Sequence, residues 1–317
     1  MSADISIIIC TRNRADSLHQ TLCSLATIDV PESVCGELIV VDNGSTDNTQ
    51  AVLKKHNFQN LTWRYVTENR TGLCCARNTG LAVSEGSVIL MTDDDVRPPV
   101  GWIKDMCIPI LTGQADAVAG GVEIPQKLQR PWMTANHRQA LTSTELINPD
   151  KPEMFGANMA FARQVLVKVP QFDEELDVGF TGLGGDTLFS YQLIKAGFRL
   201  LAALEVKVEH HFDVNRLSRD GYAKRAKALG KTTAYMQYHW EHRLIAWPML
   251  RLIKAIWRLR HLQLKYLKQW PYDEGMPLWE MSAISGIQYY RQYLVERKRP
   301  FNYERFGLVK LPYTNGF

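Results

Sequence analysis

Three consecutive carboxylates, Asp93, Asp94 and Asp95, follow the apolar run Val88-Ile89-Leu90-Met91-Thr92. Such a run, bounded by polar residues, reads as a buried strand of a parallel sheet. Carboxylates at its C-terminal end stand where open α/β sheets bind their ligands. Adjacent carboxylates repel one another, and a hard divalent cation held through oxygen offsets that repulsion. The competing reading is an acidic turn in water. The pattern of the first hundred residues favours the cation.

That pattern is a strand–helix alternation. Residues 5–10 are an apolar run apart from Ser6 and end in Thr11-Arg12-Asn13-Arg14, and Leu18, Leu22 and Leu25 then share one helix face. A second strand, 38–41, ends in Asp42-Asn43-Gly44-Ser45-Thr46-Asp47, with a glycine for an awkward backbone angle and capping residues for the next helix. A third, 61–66, leads through Asn69-Arg70-Thr71-Gly72 into a helix carrying Arg77, and residues 88–92 close the unit. Alternation of this kind predicts an α/β fold, Rossmann-like, with a mostly parallel sheet flanked by helices. Neither G-x-G-x-x-G nor G-x-x-x-x-G-K-[ST] occurs, so phosphate falls to something other than a glycine-rich loop. A cation on the acidic cluster is the natural substitute.

With 317 residues, 45% of them apolar and 22% charged, the composition is that of a water-soluble globular chain large enough for one domain and an extension. No apolar run approaches the ~20 residues of a membrane span, and no signal peptide is visible. Of the six cysteines none forms a C-x-x-C pair or stands beside a histidine, so the expectation is reduced thiols in a cytosolic protein, with neither a zinc nor a disulfide framework. The net charge of +4 conceals an asymmetry: 17 Lys and Arg against 24 Asp and Glu in residues 1–205 (−7), but 20 against 9 in residues 206–317 (+11). A basic half of this kind points to an anionic partner.

Residues 5–14, 40–47, 72–80 and 91–95, in this order and spacing, closely resemble the nucleotide-binding half of glycosyltransferase family 2, with the GT-A fold. The resemblance covers about residues 4–212. It implies an inverting transfer from a nucleotide-sugar, most readily a UDP-sugar, with Mn²⁺ or Mg²⁺. Carried over residue by residue, Asp42 takes the place that recognises uracil, and Thr11 and Arg77 belong to the nucleotide site. Asp93 and Asp95 look like the D-x-D pair, Asp93 toward ribose and metal and Asp95 as the direct metal ligand. Asp94 between them is also acidic, which leaves open which two of the three do the work. The bland alternatives are a turn-capping aspartate at 42 and a surface arginine at 77.

Residues 102–111 read as a helix, 115–122 as a strand, and 125–153 as a long loop able to cover donor or acceptor. Residues 154–161 form a small-residue strand similar to the family's acceptor-side segment, and Phe172-Asp173-Glu174 matches its common turn. Gly182-Leu183-Gly184-Gly185-Asp186 then opens a helix. The family shows Glu-Asp here, its Asp being the catalytic base; this chain has Gly185 for the Glu, so Asp186 alone carries over, an N-cap without chemistry being the alternative. Two apolar stretches, 200–204 and 206–208, precede Glu209-His210-His211. The resemblance allows a metal-ligating histidine here, His210 ahead of His211.

Residues 216–317 lie outside the resemblance and form a basic, mainly helical extension to the catalytic domain of residues 1–215. Residues 243–268 hold seven Lys and Arg and no acid. At helical spacing Arg251, Lys254, Arg258 and Lys265 fall on one side, and Ile245, Leu252, Ile256, Leu259 and Leu267 on the other. With Trp247, Trp257 and Trp270 nearby, this helix suits the interface of an anionic membrane. Packing on the protein, or a homo-oligomer contact, is the rival. Residues 270–317 show no interpretable pattern.

The expected partners are a nucleotide-sugar donor and a saccharide or lipid-linked acceptor, as in glycolipid or polysaccharide synthesis, and no nucleic acid. A peripheral position on the inner face of the membrane follows from the basic helix. Two rivals are a metal-dependent nucleotidyltransferase, attacking phosphorus, and a non-catalytic sugar-nucleotide-binding or scaffold protein.

Overall fold

The computed structural model describes residues 3–177, 183–266, 268 and 270–312; Gly182 and Leu267, both invoked above, lie outside them. The chain forms two compact units: one of Met1–Gln129, Thr142–Glu174 and Asp186–Phe212, the other of Arg130–Leu141, Glu175–Gly185 and Asp213–Phe317.

The first unit opens with β1 (Ile5–Thr11), α1 (Ala15–Leu25), β2 (Gly36–Asp42), α2 (Thr49–Lys55), β3 (Thr62–Thr67), α3 (Leu73–Val83) and β4 (Val88–Asp93). Then come β5 (Val96–Arg97), α4 (Trp102–Leu111) and β6 (Ala117–Glu123). The second unit contributes α5 (Ala135–Gln139), after which β7 (Met159–Ala162), α6 (Gly185–Lys195) and β8 (Leu200–His210) complete the sheet region. Among the described residues the strands form one sheet in the order β3-β2-β1-β4-β7-β6-β8-β5. β3, β2, β1 and β4 are mutually parallel, β7 runs against both β4 and β6, and β8 is parallel to β6. This is the mostly parallel mixed sheet that the alternating pattern predicts.

The continuous apolar runs have a simple cause. Ile7, Ile8 and Ile9 of β1, Leu38 to Val41 of β2 and Ile89 to Met91 of β4 are all buried, because helices cover both faces of a parallel sheet. α1 turns Leu18, Leu22 and Leu25 inward, each worth about 1.5–3 kcal/mol on full burial. α3 lies close on β1 and β2: a β-carbon on Gly80 would meet Ile8 Cγ2 at 2.5 Å. Gly44 has φ +69°, the awkward turn angle expected of it.

Three local expectations change. Residues 154–161 are not one strand: Phe155 to Asn158 form a turn ahead of β7. Buried Asn158 fixes it, donating from Nδ2 to the Gly121 and Val206 carbonyls and accepting from Trp102 Nε1. The two apolar stretches after residue 200 are one strand, β8, whose irregularity is absorbed by a register shift at Gly120/Gly121 of β6. And Cys23 does lie near histidine, its Sγ 3.8 Å from His19 Nε2, with His56 closing on the same spot. The pair is one helical turn apart, and His56 is brought in only by the fold. None of the six cysteines is joined in a disulfide.

The second unit is built on α7 (Arg219–Tyr235), which continues through a π-helical turn at Met236–Trp240, α8 (Pro248–Tyr266) and α9 (Leu278–Glu296). α9 packs on both α7 and α8. Its buried Glu280 accepts from Arg219 and, at 2.8 Å, from Gln263 Nε2, and buried Glu296 faces His239 Nε2 at 3.1 Å. Part of the long segment after residue 125 belongs here: Trp132 and His137 pack, mostly edge-on, in a cluster with Tyr222 and Trp270. No helix among the described residues is long and apolar enough to cross a membrane.

Candidate active site

Parallel pairing sets Thr11 opposite Asp42 and Cys10 opposite Asp93, so the three strand ends deliver their polar residues to one edge of the sheet. There the three carboxylates diverge. Asp94 turns back toward β1: its Oδ2 accepts from Thr11 Oγ1 at 2.7 Å and its Oδ1 from Arg14 Nη1 at 2.7 Å. Ser17 and Thr21 of α1 donate to its main-chain oxygen. Asp95 is buried, accepts from Arg14 Nη2 at 2.7 Å, and has His210 Nε2 3.4 Å from its Oδ2. Asp93 is partly exposed, with Arg77 Nη2 3.6 Å from its Oδ1. Arg14, which the sequence alone did not single out, thus grips two of the three acids from the loop after β1.

The electrostatics follow from this crowding. Burial, with Asp95 adding its charge, pushes Asp94 up to about 7 against the pull of Arg14 and Thr11. Burial likewise raises Asp93, opposed by Arg77 and reinforced by Asp95. Burial works against the charge of Arg77, yet Asp186 and Asp93 hold its guanidinium above the ordinary range. Burial also opposes the charge on Arg14, which Asp94 and Asp95 nevertheless raise.

Alternation of side chains along the chain separates the two histidines. His210 is buried and faces Asp95, whereas the His211 imidazole pairs with Glu209 at 2.7 Å and only its main-chain N–H reaches the Asp95 carbonyl. Asp95 and His210 stand 3.4 Å apart, and Asp93 is near enough to feel the charge of both. Two carboxylates and an imidazole are an oxygen-rich donor set of the kind that suits Mn²⁺ or Mg²⁺.

Arg77 is buried on α3, its guanidinium over the Phe172 ring at 5.6 Å. Gly156 makes room for it: a β-carbon there would meet Arg77 Nη2 at 1.7 Å. The Gly156 N–H donates to Asp186 Oδ2 at 2.8 Å, and Thr187 N–H to Oδ1 at 3.0 Å, so Asp186 is fixed in the first turn of α6. Glu153 is a second carboxylate close by, linked to the Thr187 side chain. Burial raises it, and the charge of Asp186 adds to the shift. It stands 33 positions before Asp186 in a segment read as loop, which is why the sequence did not reveal it.

Asp42 lies apart from the carboxylates, buried at the C-terminal end of β2. Its Oδ1 accepts from Ser45 N–H at 2.9 Å and its Oδ2 from Gln50 Nε2 at 2.5 Å. The structure therefore gathers Asp93, Asp95, His210, Arg77 and Asp186 around one edge. It ties Thr11 and Asp94 to each other and sets Asp42 at the end of the neighbouring strand β2.

Comparison with known proteins matches this architecture. The chain is 31% identical to the glycosyltransferase AglE of Haloferax volcanii over 210 residues, 64% of this chain and 65% of that protein, so it spans under two thirds of the relative's length. The mannosyltransferase PcManGT from Pyrobaculum calidifontis, solved with GDP-Man and Mn²⁺, superposes over 93% of this chain and 88% of its own with a TM-score of 0.60 at 17% identity. TarS residues 1–349 of S. aureus, solved with UDP, superpose over 93% and 91% with a TM-score of 0.51 at 16% identity. Likeness at such identities is one of fold. A family model described as Glycosyl transferase family 2 matches residues 6–169, more than half of the sequence. On that match, joined to the strand-end carboxylates it encloses, the chain belongs to glycosyl transferase family 2.

Proposed function

We propose that this protein is an inverting glycosyltransferase that moves a sugar from a nucleotide-sugar, most readily a UDP-sugar, to an acceptor hydroxyl. The observation that carries the reading is the convergence of Asp93, Asp95 and His210 at a sheet edge that also holds Asp186. Asp186 takes the proton from the acceptor hydroxyl as its oxygen forms the new bond to the anomeric carbon. The bond from that carbon to the diphosphate breaks on the opposite face, and the nucleoside diphosphate leaves. A divalent ion held by Asp93, Asp95 and His210 supplies Lewis-acid neutralisation of the leaving diphosphate when bound. Arg14 and Thr11 keep Asp94 out of that role and fix the direction of its neighbours. Asp42 retains lone pairs beyond those that Ser45 and Gln50 use, enough to accept from a uracil N–H. PcManGT with GDP-Man and TarS with UDP support a nucleotide-bound donor. Product analysis with a panel of UDP-, GDP- and dTDP-sugars tests the assignment. A new glycosidic bond is the expected product, and nucleotidyl transfer or nucleotide binding without turnover would overturn it.

On the acceptor side we infer an anionic lipid surface as partner, and hence a lipid-linked or membrane-borne acceptor. α8 has three sectors. Leu252, Ile256 and Leu259 lie half-buried on the side that packs on α9. Arg251, Lys254, Arg258 and Lys265 form an exposed basic flank. Beside it runs a second apolar stripe, Leu250, Ile253, Trp257 and Leu264, the last two 74% and 88% exposed. A cleft of about 640 Å³ next to the start of α8, lined by Arg243 and Arg251 among others, adds further cationic surface. An outward apolar stripe edged by cations and free of acids complements a lipid interface of negative charge.

A further inference from the structure

We propose that His19, Cys23 and His56 form a binding site for zinc(II), separate from the carboxylate edge, that clamps α1 to the end of α2. His19 and Cys23 are one turn apart on α1 and so share a face. His56 is the residue that ends α2, its backbone turning to the extended region. One ligand atom from each lies within 4.8 Å of the others. His19 Nδ1 is 2.9 Å from His56 Nε2, and Cys23 Sγ is 3.9 Å from His19 Nδ1 and 3.8 Å from its Nε2. Bond lengths of about 2.0–2.1 Å to nitrogen and 2.3 Å to sulfur in a tetrahedron give ligand edges of about 3.3 and 3.6 Å. The observed separations bracket those edges, so small side-chain rotations bring the three atoms onto one ion.

The chemistry of the donors selects the ion. Two imidazoles and a thiolate are borderline-to-soft ligands that suit Zn²⁺ and disfavour Mg²⁺ or Mn²⁺. This is the reverse of the preference at Asp93 and Asp95. The Phe58 ring stacks on the His56 imidazole with centroids 6.4 Å apart and steadies its plane. His19 and Cys23 are exposed, so an ion reaches the site from solvent and keeps its fourth position for water. Binding converts the Cys23 thiol to the thiolate and releases that proton to solvent. The opposite side of α1 carries Ser17 and Thr21, which hold the Asp94 carbonyl. Fixing α1 therefore steadies the helix on which the acidic loop rests.

The test uses the full chain, stripped with chelator, kept reduced, and saturated with Mg²⁺ so that the carboxylate edge is filled. One equivalent of Co²⁺, the spectroscopic stand-in for Zn²⁺, is expected to give a near-ultraviolet sulfur-to-cobalt charge-transfer band that Zn²⁺ abolishes. The band is expected to vanish in Cys23→Ser and to persist in Cys35→Ser, which removes the other exposed thiol. His19→Ala and His56→Ala should each weaken the competing Zn²⁺ affinity by about tenfold or more, the scale of one lost ligand. Zn²⁺ should also slow alkylation of Cys23 and leave Cys35 unprotected. Absence of the band at one equivalent, or a band unchanged in Cys23→Ser, would overturn the site and leave the glycosyl-transfer reading untouched.

Discussion

The Gly156 N–H donates to Asp186 Oδ2 at 2.8 Å, so the carboxylate proposed as base is aimed by the turn that precedes β7. Asp186→Asn keeps the shape and removes the basicity. Transfer should fall by about 10²- to 10⁴-fold with donor affinity unchanged, and Glu153→Gln should lower it by less than about tenfold. Steady-state kinetics paired with nucleotide titration separates the two. Collapse of kcat in Glu153→Gln alone would transfer the role to Glu153.

On the proposed function, the donor set at the sheet edge predicts metal-dependent turnover. Chelator should abolish transfer and Mn²⁺ restore it. Asp95→Ala and His210→Ala should raise the Mn²⁺ concentration needed for half-maximal rate. Asp94→Ala should act on folding instead, since it strands Thr11 and Arg14 at a cost of about 1–3 kcal/mol. Metal titrations and urea melts on the three variants check this, and full activity in excess chelator refutes the metal site.

Base recognition is the role proposed for Asp42. Its replacement by Ala should weaken UDP binding more than GDP binding, measured by calorimetry on the same protein. GDP binding the unaltered chain more tightly than UDP would remove the uracil contact.

Glu68 gives a pH dependence with a definite sign. Hydrogen bonds from Arg70, and after the opposing effect of burial one from Thr79, hold its carboxyl down to about 2 from an ordinary 4.5. A depressed folded-state value contributes stability that is complete above about 4.5 and is lost as the pH falls toward 2. Glu68→Gln should therefore cost about 1–2 kcal/mol at neutral pH, discounted because Arg70 is largely exposed, and almost nothing at pH 2. Urea unfolding at the two pH values reads the difference directly.

For α8, co-sedimentation with vesicles of phosphatidylcholine plus anionic phosphatidylglycerol should capture the intact chain at low salt and lose it at high salt. Trp257→Glu with Leu264→Glu, and separately Glu at Arg251, Lys254, Arg258 and Lys265, should each abolish capture. No binding by the intact chain refutes the lipid partner, and a stripe-dependent dimer in solution would reassign the surface to a second copy.

The first four strands and the helices between them were legible because a sheet covered on both faces writes itself as unbroken apolar runs. Glu153 near Asp186, Arg14 on Asp94 and His210 beside Asp95 were less so: these partners are 33, 80 and 115 positions apart, and only the sheet order joins them. The glycosyltransferase resemblance favoured Asp95 and His210 but left the three acids undivided; side-chain alternation and hydrogen bonding give each of them different partners. α9 escaped notice because it contacts α7 and α8, so Ile287, Tyr289, Tyr293 and their neighbours do not sort onto one face. On α8 the inward apolar side was readable, whereas the outward stripe of Ile253, Trp257 and Leu264 was lost among the basic residues that border it.

The antiparallel course of β7 sets how this protein can diversify. On β1, β2 and β4 residues reach the sheet edge by leaving a strand, whereas Gly156 and Ala157 reach it on the way in, with Met159 already opposite Met91. Lengthening or rewriting the chain ahead of Phe155 therefore changes the rim around Asp186 and leaves every strand that presents Asp42 or Asp93 in register. On the proposed function, such a seam would let a lineage exchange one acceptor for another while its donor chemistry stays constant.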